Sequence, residues 1–454
     1  MLEPSAQITD VLSTVNTRLA TGPGLQALRQ RAAEFPDPLT ASLTGIALDP
    51  AARDIAEQLL DRTWSDEQRR QEILGFSPTD REVIIGSGIH AAVYAAVRVL
   101  RGHPRPLVLE RADRAGGTFA MTARPTFRLN SRNRPGGAGL AGDQGANLNY
   151  LPGAPIQAAN VSMAEYQTNV DLALVIRLTL AQCADVVTGT EVRAVSSAAS
   201  GVEIEFTNRN PLFAGRILDA RGLGDPAGQD LADGTTILTF AQFMQRMAGT
   251  WPLRGVHRAA VVGGGDAGKC AVESMLGIAP QPPMAAAALD HVERIDWYAD
   301  NLPTTCTAWP DRVRGRYQAI GRSLRPDRFG AQRLYVLQRR ARPIPLPGAA
   351  LIDGRSYDLV VLCTGYRETP IEGLRAGYFE RYDTGELDGG DGVTIATKHE
   401  LLPAFRIGPH AGLPFTDRER SDGVADISDN AASIFRTASN TATLAAVLGK
   451  PGNA

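Results

Sequence analysis

Lysine is nearly missing from this chain: of 454 residues only Lys269, Lys398 and Lys450 are lysines, so almost all of the 47 basic residues are arginine. Against 49 acids the formal charge is −2, which gives no field that would draw nucleic acid or an anionic membrane. Cysteine is also sparse. The four present, Cys183, Cys270, Cys306 and Cys363, form no CxxC and show no zinc spacing, which excludes a disulfide scaffold and a paired-thiol redox motif and suits a reducing compartment. The six histidines show no metal-ligand spacing either. No apolar run reaches the roughly 18 residues of a membrane span, and Met1-Leu2-Glu3-Pro4 lacks the basic and apolar regions of a secretion signal. A cytoplasmic location with no membrane partner is expected. Aromatics make up only 6%, but hydrophobic residues reach 43%, enough for a large core, and the length suggests about three units.

What is present begins with a helical preface, residues 1–80. Ile8, Val11, Leu12, Val15 and Leu19 share one helical stripe, Ile55, Leu59 and Leu60 suggest a second helix, and Ser65 with Gln68 has the capping-box spacing of a third that stops near Gly75-Phe76-Ser77-Pro78. This preface reads as a packing or oligomer element, or as a lid over a substrate site. The pattern then changes to a β-branched run, Val83-Ile84-Ile85, which enters Gly86-Ser87-Gly88-Ile89-His90-Ala91, an alanine-rich helix, and a second strand, Leu107-Val108-Leu109, ending in Glu110. Strand, glycine turn, helix, strand and acid are the parts of a dinucleotide site. Gly86 makes the tight turn, Gly88 lets backbone approach a pyrophosphate, Ala91 permits close helix packing, and Glu110, followed by Arg111, stands where ribose hydroxyls are gripped. The helix N-terminus offers unpaired amides and a positive dipole end to phosphate. A second glycine turn follows the strand Ala259-Ala260-Val261-Val262, in Gly263-Gly264-Gly265-Asp266-Ala267-Gly268.

Two such units some 175 residues apart resemble the flavoproteins with two dinucleotide-binding domains: flavin-containing monooxygenases, N-hydroxylating monooxygenases and pyridine nucleotide-disulfide reductases. Smaller segments resemble them in the same order. Gly116-Gly117-Thr118-Phe119 is similar to the segment that runs beside the flavin, and Thr190-Glu191-Val192 to the strand whose backbone at Val192 meets the adenine. Leu218-Asp219-Ala220-Arg221-Gly222-Leu223-Gly224 and Leu359-Val360-Val361-Leu362-Cys363-Thr364-Gly365-Tyr366 resemble the two crossings between domains. Arg406-Ile407-Gly408-Pro409 and the stretch from Asn430 to Leu448 resemble the terminal segment, whose helix start near Asn430 would face the flavin pyrimidine ring; a plain docking helix is the alternative.

The fold this resemblance implies is α/β: two Rossmann-like dinucleotide-binding domains, the second inserted in the first, behind an N-terminal helical extension. The expected boundaries are 1–80 for the extension, 81–225 and 358–454 for the two parts of an FAD-binding domain, and 226–357 for an NAD(P)H-binding domain. Among the monooxygenases, Phe127-Arg128-Leu129-Asn130-Ser131 resembles the segment whose asparagine sits at the flavin's oxygen-reactive face, and Asn147-Leu148-Asn149-Tyr150-Leu151 the Asn-Tyr-Leu segment of the N-hydroxylating enzymes. Asn130 and Asn149 are thus the catalytic candidates, with a turn asparagine the alternative at Asn130. The FxGxxxHxxx(W/Y) fingerprint of the Baeyer-Villiger and flavin-containing monooxygenases is absent, and the insertion Pro135 to Gly145 fits neither pattern. Arg312, Arg314, Arg316 and Arg322 could pair with a 2′-phosphate, which favours NADPH over NADH; a solvated basic loop is the alternative. Cys363 reads as a small core residue, and His90 and His410 as turn or surface positions, a histidine base near the flavin being the alternative.

The activity implied is an FAD- and NADPH-dependent monooxygenase that delivers oxygen from a flavin 4a-hydroperoxide to a nucleophilic nitrogen or sulfur. The partners implied are a small-molecule substrate and dioxygen, with homo-oligomerisation open. A flavin reductase without oxygen insertion and a catalytically silent flavin-binding protein are the alternatives.

Overall fold

The computed structural model of the chain describes residues 50–75, 80–132, 166–199, 201–278, 292–299, 320–321, 323–324, 332–383, 394–413, 434–449 and 451. The stripe from Ile8 to Leu19, Pro135–Gly145, Asn149, Cys306, the arginines at 312, 314, 316 and 322, and Asn430 lie outside the described residues. The chain runs through helices α1 (Pro50–Ser65) and α2 (Glu67–Gly75), strand β1 (Glu82–Ile85), α3 (Ile89–Leu100) and β2 (Leu107–Leu109). It continues through β3 (Arg128–Arg132), β4 (Tyr166–Thr168), α4 (Asn169–Cys183), β5 (Asp185–Val187), an antiparallel layer of β6 (Val192–Ala198), β7 (Gly201–Phe206) and β8 (Leu212–Ala214), and β9 (Arg216–Asp219). After β10 (Asp225–Pro226) come β11 (Ile237–Thr239), α5 (Phe240–Met247), β12 (Arg258–Val262), α6 (Asp266–Leu276), β13 (Arg294–Tyr298) and β14 (Leu334–Leu337). A small antiparallel sheet of β15 (Ile344–Leu346), β16 (Ala349–Ile352) and β17 (Arg355–Tyr357) precedes β18 (Leu359–Leu362), β19 (Tyr366–Arg367), β20 (Phe379–Asp383), β21 (Thr394–His399), β22 (Ala404–Arg406) and α7 (Ile434–Val447).

The architecture is α/β, built on two Rossmann-like parallel cores. One sheet has seven strands in the order β20-β21-β22-β9-β1-β2-β5, parallel from β22 to β5; the other has five parallel strands in the order β11-β18-β12-β13-β14. β1, β2 and β18 are buried along their whole length, as parallel strands covered on both faces must be. That burial explains why they read as unbroken apolar runs. Every strand of the five-stranded sheet lies between β9 and β20 in the chain, so the second core is an insertion.

Two details depart from the expected layout. The expected boundary at 358 assigns Leu359–Leu362 to the second part of the first domain, yet β18 is hydrogen-bonded between β11 and β12, so the crossing follows it. The reason is register: Val361 pairs with Val261 and Leu238, which buries the strand inside the second sheet, between β11 and β12. The α2 cap is Asp66, whose carboxylate accepts from the Arg69 amide at 2.7 Å, whereas the Ser65 hydroxyl turns back to the Arg62 carbonyl.

The crossings themselves meet. β10 and β19 pair antiparallel, the Ala227 amide donates to the Gly365 carbonyl at 2.9 Å, and the Thr364 hydroxyl donates to the Ala227 carbonyl at 2.9 Å. The two sheets are therefore joined by a two-stranded ribbon instead of two independent linkers.

Candidate functional site

Both glycine turns are built in the same way. After β1, Gly86 has φ +97°, and a Cβ there would come within 2.8 Å of the Ala220 carbonyl, where the chain leaves β9. After β12, Gly263 has φ +120°, and its Cβ would come within 2.0 Å of the Cys363 carbonyl, where the chain leaves β18. No L side chain fits either place. The second glycine of each turn is different: Gly88 and Gly265 cap α3 and α6, neither helix has a side-chain cap, and a Cβ on either glycine would touch nothing within 4 Å. Each helix thus points uncapped amides into open space at the carboxyl end of a parallel sheet, the geometry that receives phosphate.

The third small position packs the helix. Ala91 is fully buried against the first sheet. At Gly268 even that methyl is excluded, since a Cβ would come within 2.1 Å of the Gly263 carbonyl, which also accepts from Trp297 Nε1 at 2.9 Å.

Around the first cradle, Glu110 accepts from the Ser87 hydroxyl at 2.6 Å, the Ser87 amide at 3.1 Å and the Ala112 amide at 2.9 Å. The same Ser87 hydroxyl accepts from the Gly116 amide at 3.0 Å. Ser87 therefore ties the glycine turn to the acid and to the next loop, a role invisible in a position that the motif leaves variable. Gly117, Thr118 and Phe119 form a 3-10 turn, and a Cβ on Gly117 would come within 2.9 Å of the Gly88 α-carbon. Val192 opens β6 just after Thr190, whose amide donates to the Glu110 carbonyl. Arg111 pairs with Asp225, and Asp225 also accepts from Thr369 at 2.8 Å, so this arginine braces the crossing ribbon.

Asn130 lies in β3, not in a turn. The ladder with β4 pairs Arg128 with Thr168 and Arg132 with Tyr166, which leaves Asn130 within an irregular, bulged register. Buried Asn169 holds the loop before it: its Oδ1 accepts from the Thr126 amide at 2.9 Å and its Nδ2 donates to the Phe119 carbonyl at 3.2 Å. Phe119, Phe127 and Phe240 then form a ladder of rings, 6.5 and 6.0 Å between centroids, from the 3-10 turn to the first residue of α5 beside the second sheet.

At the second cradle, Asp266 opens α6 and its carboxylate lies 3.4 Å from the ammonium of Lys269, which offsets an acid beside the amides. Gly365 takes φ +89° in the crossing, and Tyr366 is partly exposed beside it. Arg339 belongs to no motif of the sequence. Its guanidinium lies over the Tyr298 ring at 5.8 Å, at the carboxyl end of β13, and pairs with Asp353 at 2.8 Å.

A charged knot also escaped the motifs. Asp219 at the end of β9 is in register with Arg406 at the end of β22; it accepts from Arg221 Nε and Nη2, both at 2.8 Å, and from Arg406 Nε at 3.1 Å, with His410 Nε2 at 3.3 Å. Burial by itself works to raise the Asp219 carboxyl, but hydrogen bonds from Arg221 and His410 outweigh it and hold the group far below the usual carboxylate range. Glu368 of the second crossing also pairs with Arg406. Of the two histidines expected at turns or on the surface, His410 does lie in a turn, the 3-10 turn Gly408–Ala411, while His90 is inside, in α3. The His410 side chain reaches into this knot, and His90 is buried with Nε2 2.7 Å from Thr437 Oγ1 of α7.

Burial pushes His90 down to about 4 from the ordinary 6.5. Because the folded pKa is the lower one, the unfolded chain binds the extra proton between those values; stability is complete above pH 6.5 and falls as pH drops toward 4. The loss should approach about 3 kcal/mol at roughly 1.4 per pH unit. Denaturant unfolding from pH 7 to pH 4 measures it. A His90→Gln chain should have a flatter profile, and an unchanged slope would assign the acid sensitivity elsewhere.

No family model and no curated protein matches the chain. Its fold is that of the ornithine N-hydroxylase of Kutzneria sp. 744, solved with reduced FAD, NADP+ and L-ornithine: TM-score 0.51, 15% identity, covering 81% of this chain and 97% of that one. Lower similarities include the bacillithiol disulfide reductase of Staphylococcus aureus, at TM-score 0.49 and 11% identity over 80% of this chain and 96% of that one. Another is a flavin-containing monooxygenase of Stenotrophomonas maltophilia, at TM-score 0.44 and 16% identity over 80% and 97%.

Proposed function

We propose that the protein is a flavin-dependent oxidoreductase that holds FAD at the Gly86-Ser87-Gly88 cradle and NADPH at the Gly263-Gly264-Gly265 cradle, and that it acts as a monooxygenase on a nucleophilic nitrogen or sulfur. The observation that carries this reading is the pair of uncapped helix N-termini, each fronted by a glycine with open space where a side chain would be. Bound FAD would supply the hydride acceptor and the ring that activates dioxygen. The chain's own share is placement. Glu110 at the end of β2 would take the ribose hydroxyls, Gly116–Phe119 would run beside the bound dinucleotide, and Arg339 would offer a guanidinium at the end of β13 to a 2′-phosphate. The rings of Phe119, Phe127 and Phe240, packed in a row from the 3-10 turn to α5, would supply an apolar wall against water.

One observation weighs against disulfide reduction. Cys183, Cys270 and Cys363 are all buried and unbridged, and burial pushes the Cys363 thiol up, away from the thiolate such chemistry needs. The test follows electrons. With FAD-loaded protein and a panel of amines and thioethers, NADPH consumed should match oxygenated product. Asn130→Asp should keep NADPH oxidation while diverting electrons to hydrogen peroxide, since a carboxylate adds charge where an amide both donates and accepts. If every substrate leaves all electrons in peroxide, the protein is a reductase or oxidase.

A further inference from the structure

Helix α1 carries Glu57 and Asp61 four residues apart on one face. Each carboxylate is shared by the same two arginines: Asp61 takes Arg114 Nη1 at 2.7 Å and Arg177 Nη2 at 2.5 Å, and Glu57 pairs with both. Arg177, on α4, has no exposed side-chain surface, and its guanidinium lies over the Trp64 ring of α1 at 5.3 Å. The stem of Arg177 lies against the turn that follows Arg114: a Cβ on Gly116 would come within 3.3 Å of Arg177 Cγ. Gly116 in turn donates to Ser87, and Gly117 sits over Gly88. Unbroken contact thus runs from α1 through Arg177 to the backbone that lines the first cradle.

We propose that Glu57 and Asp61 are positioning residues for the Gly116–Ala120 turn, so that the helical extension sets the affinity of the first cradle for its dinucleotide. This rests on the reading of that cradle as the FAD site. An extension that only packed would stabilise the fold and leave cofactor affinity alone. A positioning extension is coupled to the cofactor, and the coupling is reciprocal: whatever α1 adds to FAD binding, FAD adds to the docking of α1.

The experiment uses the full chain, stripped of flavin and titrated with FAD. Glu57→Gln with Asp61→Asn should weaken FAD binding about tenfold at temperatures well below unfolding. Since that pair leaves buried Arg177 without its carboxylates, hydrogen exchange on the unaltered protein supplies a measurement that needs no variant: amides of residues 50–75 should exchange more slowly with FAD bound. Unchanged exchange there, or unchanged FAD affinity in a folded variant, overturns the proposal alone. An unaltered chain that takes up no FAD overturns the flavin reading and the proposal together.

Discussion

A Gly88→Val chain should fold, and purify without flavin. Gly88 has φ −75° and ψ −171°, which valine adopts readily, and a Cβ there meets nothing within 4 Å, so the folded chain absorbs the new side chain at little cost. The isopropyl group instead fills the space in front of the uncapped α3 amides. A pyrophosphate would have to stand off from those amides or force the backbone aside, a loss of about 3 kcal/mol or more, which is a hundredfold or more in affinity. Gly86→Val is the contrasting variant. At φ +97° and 2.8 Å from the Ala220 carbonyl, it should damage the fold itself. Gly265→Val, with open space like that at Gly88, should retain FAD and lose reduction by NADPH. Flavin absorbance after desalting, melting temperature and reduction rate separate these outcomes. A stable Gly88→Val protein with normal flavin content would falsify the assignment of the first cradle.

The largest loss of stability is expected at Arg98. This wholly buried guanidinium donates to both Glu82 oxygens, at 2.8 and 3.0 Å, and to the carbonyls of Ala445, Leu448 and Gly449 at the end of α7. It neutralises an acid inside β1 and also donates to carbonyls at the end of the terminal helix, where the helical ladder runs out of amides. Arg216 joins it, at 2.6 Å from Glu82 and 3.0 Å from the Gly449 carbonyl. Arg98→Leu leaves the Glu82 carboxylate short of charge and removes the Arg98 donor from the Ala445 and Leu448 carbonyls, which should cost about 3–5 kcal/mol. Arg98→Lys should recover only part, because an ammonium cannot span that fork. Denaturant unfolding gives the number, and hydrogen exchange should show α7 opening first. A change under about 1 kcal/mol would mean that Arg216 suffices.

How much could be read from the chain depended on how local the cause was. Both cradles were legible in the order of strand, glycine and helix, because φ +97° at Gly86 and +120° at Gly263 are demands on single residues that only glycine meets. The parallel cores were legible in Val83-Ile84-Ile85 and Leu359–Leu362, because strands covered on both faces must be apolar throughout. Which sheet takes Leu359–Leu362 was not, since an apolar strand satisfies either sheet and the register with Val261 and Leu238 decides.

The sequence by itself therefore determined the fold class and the two glycine turns. Tertiary structure alone decided that Glu57 and Asp61 reach Arg177, that Asp219 meets Arg406 and His410, and that Arg98 closes the C-terminal helix on β1. The physical reason is that a glycine's backbone freedom and a strand's burial are written into a few consecutive residues. A buried ion pair depends on which distant groups the packed chain removes from water together, and spacing along the sequence carries no record of that.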